Sequence, residues 1–247
     1  MQTMANTCVV IPLYNEETRF DIDKFIEFNK LHPDLCFCLV NDGSTDNTPG
    51  MLAELHSKLE RVEIIDLKKN KGKAEAIRSG VSQMIQRNDI KYIAFIDADL
   101  SAPLETIPFL LAAAPGKSVI LGSRILILGT TIVRKPFRHY VGRVFATMAS
   151  ETLNLPIYDT QCGAKIFSRE IAEIAFNRPF KTRWLFDLEL IMRIVNHTGW
   201  EKFKEIGQEV PLYEWVEKGG SKVKLSYMFK LPFDLLRVRK EYGKVKK

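Results

Sequence analysis

Asp97 and Asp99 stand one residue apart where the apolar run "FIDADLSAP", Phe95 to Pro103, comes to an end. Residues two apart in extended backbone leave the chain on the same face, so both carboxylates share one side. Held together without a partner they repel, which raises the pKa of one of them. A hard divalent ion removes that conflict, because Mg2+ or Mn2+ prefers oxygen ligands and commonly takes one or two carboxylates plus substrate phosphates. Taken alone, the pair is also what an acidic turn at the end of a strand provides.

Three more segments carry polar and ionisable residues of the same kind. "VIPLYNEE", residues 10–17, offers an aromatic and two acids. "NDGSTDNT", residues 41–48, sets Asp42 just past another apolar run and follows it with turn residues, of which Asp46 or Thr48 is suited to cap a helix. "NKGKAEAIRSG" puts Lys71, Gly72 and Lys73 at the start of a helical pattern, where free backbone N–H groups and the helix dipole attract anions.

The elements that must position these segments follow from hydrophobic period. "TCVVIPL" reads as a strand, Phe20 to Leu31 as a helix, "LCFCLVN" as a strand and Thr48 to Leu59 as a helix with Met51, Leu52, Leu55 and Leu59 on one face. "VEIIDL" is a strand, Gly72 to Gln86 a helix, and "YIAFID" and "SVILGS" are strands with another helix between them. Such alternation implies βαβ units and a mostly parallel sheet covered on both faces. Ligands in such sheets bind beyond the carboxyl ends of the strands, which is where Pro12, Tyr14, Asn41, Asp42, Asp97, Asp99 and Arg124 fall. In the second half, Arg138 to Leu153 reads as a helix, "TQCGAKIF" as a strand returning to the sheet and Phe186 to His197 as a helix. "WEKFKEIGQEVPLY" reads as a strand, and Ser226 to Tyr242 as a basic amphipathic helix.

The length of 247 residues and an apolar fraction of 46% suit one compact α/β domain, residues 1–225, followed by the basic helical segment 226–247. Lys and Arg outnumber Asp and Glu by 36 to 30, a net charge of +6, which favours phosphate-bearing or anionic-surface partners. Much of the excess lies in residues 222–247. The four cysteines, Cys8, Cys36, Cys38 and Cys162, lack zinc-site spacing and read as reduced core residues of a cytosolic protein. The N-terminal residues have no signal-peptide pattern, and charges interrupt every apolar stretch before it reaches the roughly 18 to 20 residues of a membrane span.

"VVIPLYNEE", "NDGSTDNT", "KGKAEAIRSG" and "DADLSAP", in this order and spacing, resemble the family 2 nucleotide-sugar glycosyltransferases with the GT-A fold. The second half, with "GSR", Arg134, Arg138, "DTQCGAKIF", "RWLFDLEL" and "GGSKVK", is similar to the polyprenyl-phosphate sugar transferases. Within these the dolichyl-phosphate β-glucosyltransferases are nearer than the mannose synthases. The resemblance implies that Pro12, Tyr14 and Glu16 line the nucleoside pocket, with Glu16 toward the ribose, and that Asp42 bonds the base. Lys73 would lie near the diphosphate, Asp97 and Asp99 would hold Mg2+ or Mn2+, and Gln161 and Asp187 would stand near the transferred sugar. Two positions depart from the pattern: Asn41 precedes Asp42 where several relatives have a second aspartate, and Ser101 stands where some mannose synthases carry a metal-binding glutamine.

The implied reaction is inverting transfer of a hexose, glucose favoured over mannose, from a UDP- or GDP-sugar to a polyprenyl or dolichyl phosphate. A phosphate monoester, with a second pKa of ~6, is mostly dianionic at neutral pH and needs no general base, only positive charge to bring it beside the donor diphosphate. Guanidinium groups bind phosphate bidentately, and Arg124, Arg134, Arg138 and Lys222 are the matching cations, shared between acceptor phosphate and donor diphosphate. If Asp187 instead acts as a base, the acceptor is a saccharide hydroxyl. A nucleotide-sugar-binding module without catalysis is the remaining alternative. The expected setting is the cytoplasmic face of a membrane, reached through the basic amphipathic helix, through "VRKPFRHYVGRVF" or with an anchoring partner protein; nucleic acid is not an implied partner.

Overall fold

A computed structural model describes residues 4–133, 146–218 and 230–246. Arg134, Arg138 and Lys222 lie outside the described residues.

Seven strands form one sheet: β1 (Thr7–Leu13), β2 (Cys36–Asn41), β3 (Val62–Asp66), β4 (Tyr92–Phe95), β5 (Val119–Ser123), β7 (Lys165–Ser168) and β8 (Gly207–Pro211). Their spatial order is β3-β2-β1-β4-β7-β5-β8. All neighbours run parallel except β7, which is antiparallel to both β4 and β5. Consequently the carboxyl ends of six strands and the amino end of β7 share one edge, and the loops at Tyr14, Asp42, Lys73, Asp97, Arg124 and Gln161 open there.

Alternation of side chains sends one set to each face. Cys8, Val10, Cys36, Cys38, Val40, Phe95 and Phe167 pack against α3 (Lys73–Met84), α6 (Arg169–Phe176) and α7 (Phe186–Thr198). Val9, Ile11, Leu13, Phe37, Leu39, Ala94 and Ile166 pack against α1 (Ile22–Leu31), α2 (Thr48–Lys58) and α4 (Thr106–Ala113). All four cysteines are buried, and burial, helped by the nearby Asp159, pushes the Cys162 thiol up to about 11.

Two sequence expectations need correction. Residues 200–213 are not one strand: Trp200–Ile206 is a helix, α8, and only Gly207–Pro211 is extended. Trp200, Phe203 and Ile206 are three apart, the spacing of one helix face, and Gly199 and Gly207 bound it. The strand expected from Thr160 begins only at Lys165, leaving 160–164 as a loop at the functional edge. Residues 146–153 form α5. The helix at Leu231–Tyr242, α9, packs Leu235, Val238 and Tyr242 into the core while Phe233 and Leu236 stay exposed.

Candidate active site

The first two edge loops are knitted together by backbone and side-chain bonds. Asn15 N donates to Ser44 Oγ at 3.0 Å, Glu16 N to Thr48 Oγ1 at 2.9 Å and Thr45 N to Asn15 Oδ1 at 2.8 Å. Pro12 and Tyr14 are half-buried beside this junction, whereas Glu16 is buried with its carboxylate on Arg19 Nη2 at 2.6 Å. Asp42 is also buried, and both of its oxygens are engaged: Lys71 N donates to Oδ1 and Gly72 N to Oδ2, each at 2.7 Å. Asp42 therefore fixes the turn that starts α3, and through it the position of Lys73. Gly72 has φ +92, and a Cβ there would stand 2.8 Å from Nε of Arg183. Arg183, the first residue of the segment "RWLFDLEL" and given no role of its own in the sequence, lies over this turn and donates to Asn70 Oδ1 at 2.9 Å.

Lys73 reaches Asp97, with Nζ 2.5 Å from Oδ1. Burial pulls the ammonium pKa down, but Asp97 and then Asp187 outweigh it, and the net shift is upward. The other carboxylate oxygen of Asp97 rests on the bare Cα of Gly163, where a Cβ would stand 2.3 Å from Oδ2. After Asp97 the chain reverses sharply. Leu100 takes φ +48, a left-handed conformation that costs a non-glycine residue on the order of 1 kcal/mol, and Ser101 N donates to Asp99 Oδ1 at 2.9 Å.

Behind the aspartates lies a buried ion pair. Lys165, at the start of β7, is wholly buried and donates to Asp187 Oδ1 at 2.6 Å and to the carbonyl of Cys162. Asp187 is itself only 3% exposed at the start of α7. The same helix supplies Glu189, whose carboxylate accepts from Lys181 N, from Thr182 N and Oγ1 and from Tyr242 Oη, so the loop before α7 and helix α9 are held by one acid. Gln161 sits in the loop before β7, and its Nε2 has no hydrogen-bond partner among the described residues.

Arg124, after β5, does not offer its fork to the open edge. Nε and Nη2 meet Asp159 Oδ2 and Oδ1 at 2.7 and 2.8 Å, and the guanidinium lies 5.4 Å from the ring centre of Trp215. Trp215, in β9 (Glu214–Val216), lines a recess with Asp97, Ser101 and Gly163. Burial would raise the Asp159 pKa, but Arg124 outweighs it and holds the carboxyl at about 2. A folded pKa below the unfolded value stabilises the fold above the unfolded pKa, and that contribution is lost as pH falls through the folded one. Asp159 therefore contributes about 2 kcal/mol at neutral pH that disappears between roughly pH 4 and 2. Urea unfolding of the parent and Asp159→Asn at pH 6 and at pH 2 checks it: the stability gap should shrink by about that amount, and a gap independent of pH would contradict it.

The donor set at Asp97 and Asp99 suits a divalent cation. It consists of carboxylate oxygens only; Asp97 has a side chain 40% exposed and already attracts the ammonium of Lys73. Among the described residues no group of three or more His, Cys, Asp or Glu is placed to hold a metal. A pair of carboxylates with substrate phosphate oxygens and waters is the shell that Mg2+ commonly takes beside a nucleotide.

The profile of glycosyl transferase family 2 matches residues 8–175, which contain every one of these loops up to Gly163. The chain belongs to glycosyl transferase family 2. It is 30% identical to dolichyl-phosphate beta-glucosyltransferase ALG5C of Trichomonas vaginalis, over 94% of this chain and 70% of that protein. Identity to the Homo sapiens dolichyl-phosphate beta-glucosyltransferase is 30%, over 95% and 75% of the two chains. The fold matches glucosyl-3-phosphoglycerate synthase from Mycobacterium tuberculosis in complex with phosphoglyceric acid, with a TM-score of 0.69, 17% identity and coverage of 98% and 81%. The same synthase in complex with Mn2+, UDP and glucosyl-3-phosphoglycerate gives 0.66 and 16%, with coverage of 98% and 81%. This family 2 chain is accordingly a glycosyltransferase with a GT-A fold.

Proposed function

We propose that this glycosyltransferase moves glucose from UDP-glucose to a polyprenyl phosphate of the dolichyl type, with inversion at the anomeric carbon. The observation that carries the reading is the similarity to dolichyl-phosphate beta-glucosyltransferases along about nineteen twentieths of the chain. The acceptor's phosphate oxygen attacks the anomeric carbon and forms the new C–O bond. The bond to the β-phosphate oxygen breaks, and UDP leaves with its electron pair. No proton has to be removed, because the attacking phosphate is mostly dianionic at neutral pH.

The chain's own residues supply orientation and charge. Asp42 fixes the turn that delivers Lys73 beside Asp97, and Lys73, kept charged by its acidic neighbours, is suited to a diphosphate oxygen. Asp97 and Asp99 would hold Mg2+ or Mn2+, which when bound neutralises charge on the departing diphosphate. Trp215 walls the recess beside Asp97 and supports Arg124, while Arg134, Arg138 and Lys222 add the positive charge that draws in the acceptor phosphate. Tyr14 and Pro12 flank the nucleoside, and Gln161 serves the sugar. Burial of Asp187 against Lys165 argues against a general base for a hydroxyl acceptor, since one oxygen is spent and water scarcely reaches it. No helix among the described residues is long and apolar enough to cross a membrane, so contact with the lipid acceptor would be peripheral or through a partner protein.

Transfer of labelled glucose from UDP-glucose to polyprenyl phosphate in detergent micelles with Mg2+ or Mn2+ tests the proposal. Metal-dependent label in the extracted lipid is the expected result. Absence of labelled lipid with any common UDP- or GDP-hexose would overturn it.

A further inference from the structure

The turn after Arg124 carries the sequence Ile-Leu-Ile-Leu-Gly-Thr-Thr-Ile-Val, residues 125–133. Leu126 is 65% exposed, Ile127 46% and Val133 51%, and Leu128 is fully exposed. A run of neighbouring large aliphatic side chains in water marks an interaction site rather than ordinary surface. Its polar backbone is partly satisfied from within, which lowers the cost of entering an apolar phase: Ile127 N donates to Thr130 Oγ1 at 3.1 Å, and Ile127 O accepts from Thr130 N at 3.1 Å and from Thr130 Oγ1 at 2.8 Å.

We propose that Leu126, Ile127 and Leu128 insert into the headgroup and acyl boundary of an anionic lipid bilayer and seat the catalytic edge on it. Charge identifies the occupant. From Ile125 to Ser150 the chain has four Lys or Arg, namely Arg134, Lys135, Arg138 and Arg143, and no Asp or Glu. An aliphatic tip joined to an all-basic segment fits lipid tails below anionic headgroups, and a soluble protein partner would leave that segment unmatched unless it were strongly acidic.

The insertion tip is also tied to the donor site. Strand β6 (Thr131–Val133) follows it directly and pairs with β9, setting Ile132 opposite Trp215. Val216 N then donates to the carbonyl of Ser101 at 2.8 Å, two residues beyond Asp99. Seating the tip on a bilayer thereby sets the height of Trp215 and the aspartate loop above the lipid surface. The lipid-phosphate reading gives this contact its purpose, but the contact is tested without any transfer assay.

The full chain and the triple variant Leu126→Ser/Ile127→Ser/Leu128→Ser are floated with vesicles of phosphatidylcholine, with and without phosphatidylserine. The expected result is vesicle binding by the parent that strengthens with phosphatidylserine, and a loss on the order of 30-fold or more in the variant. The melting temperature and UDP-glucose affinity should be unchanged, since the replaced side chains face solvent. Equal flotation of variant and parent would overturn the proposal. So would a large fall in melting temperature, which would mean that the side chains are covered by the protein itself, or a parent dimer that the variant dissolves without change in vesicle binding. If flotation falls as expected while no lipid accepts glucose, the membrane contact stands and the acceptor assignment falls.

Discussion

Asp97→Asn is expected to reduce transfer by roughly 10³-fold while leaving the protein folded. The carboxylate's surroundings explain why the chemistry should suffer: Oδ1 holds Lys73, the opposite oxygen rests on Gly163, and the side chain stands at the strand edge proposed for the donor. An amide keeps the shape and removes the charge, so it weakens both the attraction for Lys73 and the oxygen donor set for a cation. Stability should barely move, because the side chain is 40% exposed and surface replacements usually change stability by about 0.5 kcal/mol or less. Initial rates with UDP-glucose, together with Mn2+ binding followed by electron paramagnetic resonance, check the expectation. Residual activity within about tenfold of the parent, or undiminished Mn2+ binding, would remove Asp97 from the diphosphate site.

The second large effect falls on stability. Lys165→Met is expected to destabilise the protein by about 3 to 5 kcal/mol, because it leaves Asp187 buried without its partner. For a chain of this length that corresponds to a fall in melting temperature of about 10 °C or more. The double variant Lys165→Met/Asp187→Leu removes both charges and should regain most of the loss, since a buried pair replaced by apolar groups is often neutral in stability. Thermal and urea unfolding of the three proteins separate the cases. A single variant as stable as the parent, or a double variant no better than the single, would mean that the Lys165 and Asp187 charges are not the coupled pair the geometry indicates.

These two residues also mark where the sequence was and was not readable. Asp97 and Asp99 were legible because their signal is local: an apolar strand, a two-residue spacing and a turn, repeated in kind by the loops at Tyr14, Asp42 and Lys73. Parallel strands then had to bring those loops to one edge, and the period of each segment announced the strands. Lys165 was not legible as a buried charge, because its partner lies 22 residues away on a helix and a lysine inside an apolar run looks like an outward-facing strand residue. The clue available was that Cys162, Gly163, Ala164, Ile166 and Phe167 around it are all small or apolar, so that a lysine there needed an acid. Arg124 was placed correctly at the edge but assigned to phosphate, since nothing local reveals that Asp159, 35 residues on, occupies its fork. Helix α8 was misread because a seven-residue segment yields too few turns for its three-residue spacing to outweigh the strand that follows it.

The network around Glu189 shows how a short signal can serve a long-range purpose. In sequence it is one acid in "FDLEL"; in the fold it accepts from the loop at 181–182 and from Tyr242, with Arg193 beside it at 3.7 Å. Helix α9 is thereby fastened to α7 by its polar end as well as by Leu235 and Val238. That leaves Phe233 and Leu236 outward, a second exposed apolar group, on a basic helix, which suits the proposed contact with a lipid surface.

The claim at the centre is that an acceptor phosphate, with no side chain acting as base, attacks the sugar. A paired assay with one lipid in two forms, polyprenyl phosphate and the corresponding polyprenol, tests it most directly at saturating UDP-glucose and Mn2+. Labelled glucose should appear on the phosphate alone, in a linkage that mild acid cleaves and that nuclear magnetic resonance identifies as β. Glucose on the polyprenol, or transfer to the phosphate with retained configuration, would contradict the account.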